Sequence, residues 1–135
     1  MSRRIRIAVA MVLALFALAA LVATPKAVAQ ASCPGGILQI QNRTPCPLTV
    51  NLNATPPLPP IAVGPGATVM VGVAPGTVIH AVKSAGGILY AFPPTPPEPA
   101  CTPVITMAPG CCARVCLFPH NCIIQITPGP SPCAP

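Results

Sequence analysis

The chain has 135 residues, of which 53% are hydrophobic, 3% aromatic and 6% charged, and its formal net charge is +6. This length allows at most one ordinary domain. Four of the seven Lys and Arg residues precede residue 30, so the remainder carries three cations against one Glu, a net charge of +2 that excludes a nucleic-acid-binding surface of clustered cations.

The N-terminal segment predicts a secretory signal peptide. Three arginines within the first six residues precede an unbroken apolar run over residues 7–23, and small residues flank Ala29 and Ala31. This order is typical of a signal helix over residues 1–31 that is cleaved after Ala29 or Ala31. We therefore expect a secreted or extracytoplasmic protein, located in the periplasm or cell envelope. An uncleaved signal that anchors the chain in the membrane is the alternative, because the apolar run approaches the length that spans a bilayer.

After residue 31 the sequence predicts short β-strands separated by turns. Residues 48–53, LTVNLN, alternate apolar and polar side chains, which is the pattern of a strand buried on one face. No later window carries a helical period, and prolines interrupt most candidates. About nine strands are predicted, over residues 37–41, 48–53, 61–63, 68–73, 77–83, 88–92, 104–107, 112–117 and 122–127.

Pro-Gly pairs separate several of these strands, at residues 65–66, 75–76 and 109–110. Pro fixes φ near about −65° and Gly accepts the positive φ that a type II turn needs, so each pair predicts a chain reversal. About seven to nine short strands joined by such turns are typical of an immunoglobulin-like sandwich or a partly open barrel. We therefore predict an all-β fold, a small disulfide-stapled β-sandwich over residues 32–127, followed by a Pro-rich C-terminal tail over residues 128–135.

Eight cysteines follow the predicted cleavage sites, and an even number in a small exported domain predicts a disulfide framework. Cys111 and Cys112 are adjacent and point to opposite faces of a strand, so each needs its own distant partner. If the Pro-Gly turn at 109–110 sets the register, Cys101 and Cys116 are diagonal neighbours on one face, and we expect them to bond; the other pairings stay open. The predicted disulfide cysteines are Cys33, Cys46, Cys101, Cys111, Cys112, Cys116, Cys122 and Cys133.

The segment CLFPH resembles the ligand loop of cupredoxins, which are copper-binding β-sandwich proteins. The resemblance implies a copper site formed by Cys116, His120 and the upstream His80, since a Cys and two His residues are the equatorial ligands of such sites. The position of the axial Met holds Ile123 or Ile124 instead, which departs from the pattern. A copper-binding, cupredoxin-like or other metal-binding secreted protein is therefore the alternative to our main prediction, in which the cysteines are structural and no metal or other cofactor binds.

Residues suited to catalysis are scarce. Glu98 is the one carboxylate after residue 31, so chemistry that needs paired carboxylates is excluded. A nucleophile triad would need Ser84 or Ser131 beside a His, and the Gly-x-Ser-x-Gly motif is absent. We therefore predict no enzymatic activity and no catalytic residue. The predicted function is that of a non-catalytic structural or interaction domain with an unidentified protein partner, no nucleic acid, and membrane contact only through an uncleaved signal segment.

We assign no function to two further kinds of motif, the N-glycosylation sequons and the proline runs. Residues 42–44 and 53–55 match the Asn-x-Ser/Thr sequon of N-glycosylation, a triplet that is frequent by chance. The proline runs at 55–60 and 93–99 favour polyproline II conformation, which is typical of rigid loops and of some partner ligands.

We predict that the exported protein begins at Gln30 or Ser32, because both start sites follow a small-residue cleavage motif. The intact mass of the protein from extracytoplasmic fractions should lack 29 or 31 residues. Recovery of the full-length mass from the membrane fraction would instead support the anchored alternative.

Overall fold

The computed structural model describes residues 32–93 and 99–135, so the predicted signal helix lies outside the described residues. Within these two ranges all regular structure is β, and no helix is long and apolar enough to cross a membrane. The strands are β1 (Ser32–Cys33), β2 (Ile37–Asn42), β3 (Leu48–Thr55), β4 (Ile61–Val63), β5 (Thr68–Gly72), β6 (Thr77–Lys83), β7 (Leu89–Ala91), β8 (Ala100–Cys101), β9 (Ile105–Ala108), β10 (Cys111–Phe118) and β11 (Ile123–Pro128).

The predicted strands are confirmed, each with ends within about two residues of those expected. The structure adds β1 and β8, which have two residues each and are too short to produce an alternation in the sequence. Eleven strands are therefore present in the described chain, rather than seven to nine.

These strands form two sheets, which confirms the predicted β-sandwich. Sheet 1 has the order β4-β3-β6, with β1 and β7 both paired to the far edge of β6. Sheet 2 has the order β5-β2-β11-β10, with β8 and β9 both paired to the far edge of β10. Neighbouring strands are antiparallel except β2 and β11, which are parallel and lie at the centre of sheet 2.

The core lies between the sheets and consists mainly of aliphatic side chains. Strand β3 illustrates this, since every second residue is buried and the residues between them are exposed or half-buried. The buried residues are Leu48, Val50, Leu52 and Ala54. Phe92, which is 1% exposed, is the largest fully buried side chain among the described residues. Each such aliphatic or aromatic side chain contributes about 1.5–3 kcal/mol by leaving water.

All three predicted Pro-Gly pairs connect strands, and Gly110, between β9 and β10, has a φ of 73°. The other two turns lie on either side of β5. Gly66 and Gly76 have φ of 66° and 82°, a conformation that side-chain-bearing residues rarely adopt. The turns are closed by bonds from the Ala67 N–H to the Gly64 carbonyl, 3.1 Å, and from the Thr77 N–H to the Ala74 carbonyl, 3.0 Å. They place β5 between two tight reversals.

A buried amide joins the two sheets. Asn42 ends β2 in sheet 2 and is 1% exposed. Its Nδ2 donates to the carbonyls of Val63 and Gly64, at the end of β4 in sheet 1, over 3.2 and 3.0 Å, and to the carbonyl of Cys46 over 2.8 Å. Its Oδ1 accepts from the N–H and the hydroxyl of Thr44, at 3.0 and 2.6 Å. The turn that carries the chain from sheet 2 to sheet 1 is thus built around one side chain.

The C-terminal segment, which the sequence assigns to a Pro-rich tail, is hydrogen-bonded to the sandwich. The Ala134 N–H donates to the Val104 carbonyl over 3.0 Å, and the Thr106 N–H donates to the Ala134 carbonyl over 2.8 Å. The Ser84 hydroxyl donates to the Pro135 carbonyl over 2.6 Å. This segment therefore covers the outer edge of β9.

We predict that Asn42→Ala lowers the free energy of unfolding by about 3 kcal/mol, because buried carbonyls and the Thr44 hydroxyl lose their partner. Denaturant unfolding with the disulfides intact measures this change. Asn53→Ala is the matched control, since Asn53 is an exposed strand residue, and it should stay within about 0.5 kcal/mol of the wild type. Equal stability of the two variants would contradict the structural role of the Asn42 amide.

Candidate functional site

The cysteine-rich segment forms disulfides rather than a site with free thiols. All eight cysteines are paired, and none of those described is free. The first pair connects the buried Cys33 of β1, in sheet 1, to the buried Cys122 next to β11, in sheet 2, across a sequence separation of 89 residues. The four pairs are Cys33–Cys122, Cys46–Cys111, Cys101–Cys116 and Cys112–Cys133.

The adjacent cysteines take separate partners, as predicted. A register shift between Cys111 and Cys112 marks a β-bulge at the start of β10. Cys111 is 4% exposed and bonds to Cys46, while Cys112 is half-buried and bonds to Cys133 in the C-terminal segment. The bulge thus sends one disulfide toward the core and one toward the edge covered by the C-terminal segment.

The predicted pair Cys101–Cys116 is present, but the predicted register is wrong. Cys101 lies directly opposite Cys116 on β8 and β10, rather than diagonal to it, and their Cα atoms are 4.0 Å apart. One shift occurs at the bulge after Cys111, and a second occurs between β9 and β8. The sequence contains no signal for either shift, because both depend on how β10 pairs with two separate short strands.

The structure does not bring together the copper ligands that the cupredoxin resemblance implies. The sulfur of Cys116 is bonded to Cys101, so it supplies no thiolate. His80 lies on β6 in sheet 1, with its Nε2 2.9 Å from the Thr55 hydroxyl, whereas Cys116 lies on β10 in sheet 2. His120 lies in the turn between β10 and β11. Among the residues the structure describes, no group of three or more His, Cys, Asp or Glu side chains could hold a metal ion.

Ser84 and Asn42 are buried and hydrogen-bonded within the fold. Ser84 is 4% exposed, and its hydroxyl accepts from the Ile88 N–H at 3.2 Å while it donates to Pro135. Asn42, in the first sequon, is the buried amide between the sheets, while Asn53, in the second, is exposed on β3. Glu98 lies outside the described residues.

The outer face of sheet 2 carries an exposed apolar patch, which we call the outer patch and define as Ile37, Met70, Phe118 and Ile123. Cross-strand pairing aligns Met70, Gln39, Ile123 and Phe118 in one row across β5, β2, β11 and β10. Ile37, on the same face, pairs with Gly72 and is a diagonal neighbour of Met70. Ile37 is 53% exposed and Met70 is 64% exposed. Phe118 and Ile123 are half-buried, and Gln39 lies between Ile123 and Met70, so the patch consists of two exposed and two half-buried apolar side chains on one face.

Polar side chains border the outer patch on the next row of the same face. Gln41 pairs with Thr68 on one side and with Gln125 on the other. The Arg43 side chain lies beside both amides. Its Nη2 is 3.4 Å from the Gln41 Oε1, and it is 2.9 Å from the Gln125 side-chain oxygen when the Gln125 amide is oriented with that oxygen toward the guanidinium. The face therefore combines an apolar end with an end of neutral amides and the exposed Arg43. A second exposed cation, Arg114 of β10, lies on the same face opposite Thr127.

The outer face of sheet 1 differs in composition. Its exposed apolar residue Leu89, 54% exposed, pairs with Lys83, which in turn pairs with Asn51. Lys83 and Asn51 thus border Leu89, and the adjacent Ile88 is 43% exposed. Among the described residues, this face has no apolar row comparable with the outer patch.

Comparisons with known proteins give no family. The chain matched no family model, no curated protein and no solved structure. The functional argument therefore depends on the residues and surfaces of this chain.

We predict that non-reducing peptide mapping of the exported protein recovers the four disulfides described above and no free thiol, because the fold places all eight cysteines in four pairs. Adding Cu²⁺ to the oxidised protein should give no intense thiolate-to-copper absorption band. Such a band in the wild type, together with its loss in Cys116→Ser, would contradict this assignment and restore the copper alternative.

Proposed function

We propose that the protein is a non-catalytic domain of the extracytoplasmic space that acts by binding another protein through the outer face of sheet 2. The observation that carries this proposal is the exposure of Ile37 and Met70, side by side on one face, at 53% and 64%. Contiguous apolar surface of this kind is characteristic of interaction sites in soluble domains.

The disulfides support the cellular location. Four intramolecular disulfides that use all eight cysteines indicate an oxidising, extracytoplasmic environment, because cytosolic thiols are kept reduced. The extracellular medium, the periplasm and the cell envelope are all compatible with disulfide formation. The predicted signal peptide over residues 1–31 supplies the export route that the disulfides require.

The composition of the outer face supports a protein partner. Its apolar end contains Met70 and Phe118, and its other end contains Arg43 beside two glutamine amides. Met, aromatic residues and Arg are enriched at protein interfaces, while Lys, Glu and Asp are depleted, as they are on this face. A face that combines apolar, amide and arginine side chains resembles a protein interface more than it resembles the concave, mostly apolar pocket of a small ligand.

The covalent framework supports a structural or docking role. Two of the disulfides close loops of 89 and 65 residues, and together the four tie both sheets and the C-terminal segment into one unit. A cross-linked sandwich presents its faces with little loss of conformational entropy on binding. This rigidity suits a domain whose function depends on its surface.

Ile37→Lys tests the proposed contact surface, because it places a charge within the patch, next to Met70. Capture of extracytoplasmic proteins by the oxidised mature domain, followed by mass spectrometry, should identify a partner whose yield falls about tenfold with this variant. Leu89→Lys is the matched control, since Leu89 is 54% exposed on the other sheet, and it should capture as much as the wild type. Equal capture by all three proteins would overturn the assignment of the outer face.

A further inference from the structure

Strand β5 leaves one edge of sheet 2 open. It has five residues, and in the described chain it pairs with β2 on one side only. We propose that two copies of this protein associate by antiparallel pairing of their β5 strands around Met70, which joins the two copies of sheet 2 into one continuous sheet. This inference goes beyond the proposed function and does not require it.

The other sheet edges are shorter or covered. In sheet 1, β4 and β7 have three residues each and β1 has two, and prolines precede β4 directly. In sheet 2, the C-terminal segment covers β9 through the two bonds between Ala134 and the backbone of Val104 and Thr106. Proteins commonly protect edge strands with Pro, charge, short length or a covering segment. Residues 67–73 have none of these protections, since they contain neither Pro nor any charged residue.

The hydrogen-bond pattern shows which groups of β5 face the open edge. The Asn42 N–H donates to the Ala67 carbonyl and the Val73 N–H donates to the Gly36 carbonyl, both over 2.9 Å. Bonded pairs alternate along an antiparallel ladder, so Val69 and Val71 also direct their backbone groups toward β2. The N–H and C=O groups of Thr68, Met70 and Gly72 therefore point away from β2. All three residues are exposed.

These three edge-facing residues are symmetric about Met70. In an antiparallel pair centred there, Met70 lies opposite Met70 of the second copy, and Thr68 lies opposite Gly72. Every opposed pair then presents both N–H and C=O groups, which gives about six inter-chain hydrogen bonds. A contact of this kind is isologous and has two-fold symmetry. The β5 strand of a second copy, in its observed conformation, can therefore supply hydrogen-bond partners to the edge-facing N–H and C=O groups of the first.

The side chains fit the same arrangement. Val69 lies opposite Val71 of the other copy, and both are half-buried residues that pack against the core, so pairing covers their remaining exposed surface. Met70 joins the two outer patches into one apolar surface. No like charges are brought together, because residues 67–73 are uncharged.

Concentration-dependent mass measurement tests the association. Sedimentation or light scattering of the oxidised mature protein should show the monomer converting to the dimer as concentration rises. Met70→Pro should remain monomeric at every concentration, because it removes an N–H that faces the open edge and leaves the bonds to β2 intact. Leu89→Lys, on the other sheet, should dimerise as the wild type does. A wild type that stays monomeric, or a Met70→Pro variant that still dimerises while retaining the four disulfides, would overturn the proposal.

A charge-pairing experiment tests the register and does not depend on proline. Met70→Lys and Met70→Glu should each associate at least about tenfold more weakly than the wild type, because the two-fold axis places like charges directly opposite. Mixing the two variants should restore association as a one-to-one heterodimer, which native mass spectrometry resolves by mass. Absence of the heterodimer from the mixture would overturn pairing centred on Met70.

Different results contradict the two proposals, which are partner binding through the outer face of sheet 2 and β5 pairing between two copies. A monomeric protein whose partner capture is still lost with Ile37→Lys contradicts β5 pairing and leaves the proposed function intact. A dimer that captures no other protein contradicts the proposed function and leaves β5 pairing intact.

Discussion

The arrangement of the two sheets depends on the amide of Asn42. The chain must leave β2 in sheet 2, turn within the five residues 43–47 and enter β3 in sheet 1. Within this turn the Asn42 amide donates to the Cys46 carbonyl. One side chain supplies donors to the carbonyls of Val63 and Gly64, from the far end of β4, and an acceptor to Thr44. Because a buried polar group without a partner is costly, these bonds favour the observed position of β4 relative to β2, in addition to the core and the Cys33–Cys122 disulfide. Asn42 also donates its own N–H to Ala67, directly before β5, so the alignment of the open edge strand begins at the same point.

The disulfides and the hydrophobic core stabilise the fold by different means. The core is mainly Val, Ile, Leu and Ala, with Phe92 as its largest fully buried side chain, so its burial per residue is modest for a domain of this size. Cross-links compensate by lowering the conformational entropy of the unfolded chain, and this effect grows with the length of the closed loop. The pair Cys33–Cys122 closes a separation of 89 residues and Cys101–Cys116 closes 15, so the former restricts the unfolded chain more. The long-range pair also joins the sheets, while the short-range pair joins neighbouring strands within sheet 2.

Local chemistry made the strands and turns predictable, and distant contacts made the rest unpredictable. Alternation in residues 48–53 and the glycines at 66 and 76 act over a few residues, so the sequence alone indicates them. The bulge at Cys111 depends on two partner strands. The sequence therefore predicts the bond between Cys101 and Cys116 but not the strand register in which they face each other. The copper hypothesis treated Cys116 and His80 as neighbours, although they belong to different sheets. Asn42 matches a sequon, yet its role depends on carbonyls 21 and 22 residues away. The alternation of residues 68–72 indicates that the Met70 side chain faces outward. It does not indicate that β5 is the edge strand of sheet 2, because that depends on the order of the strands.

The bonds between Ala134 and β9 also limit how large an assembly can become. A sheet that is open at both edges can add subunits indefinitely and form a fibre, whereas a sheet with one open edge can add one neighbour and then stops. Because the C-terminal segment covers β9 at the far edge of sheet 2 and β8 there has only two residues, the proposed growth through β5 would end at a pair. In the proposed dimer, residues 133–135 would thus protect the second edge, and without them each subunit would expose two edges that can pair.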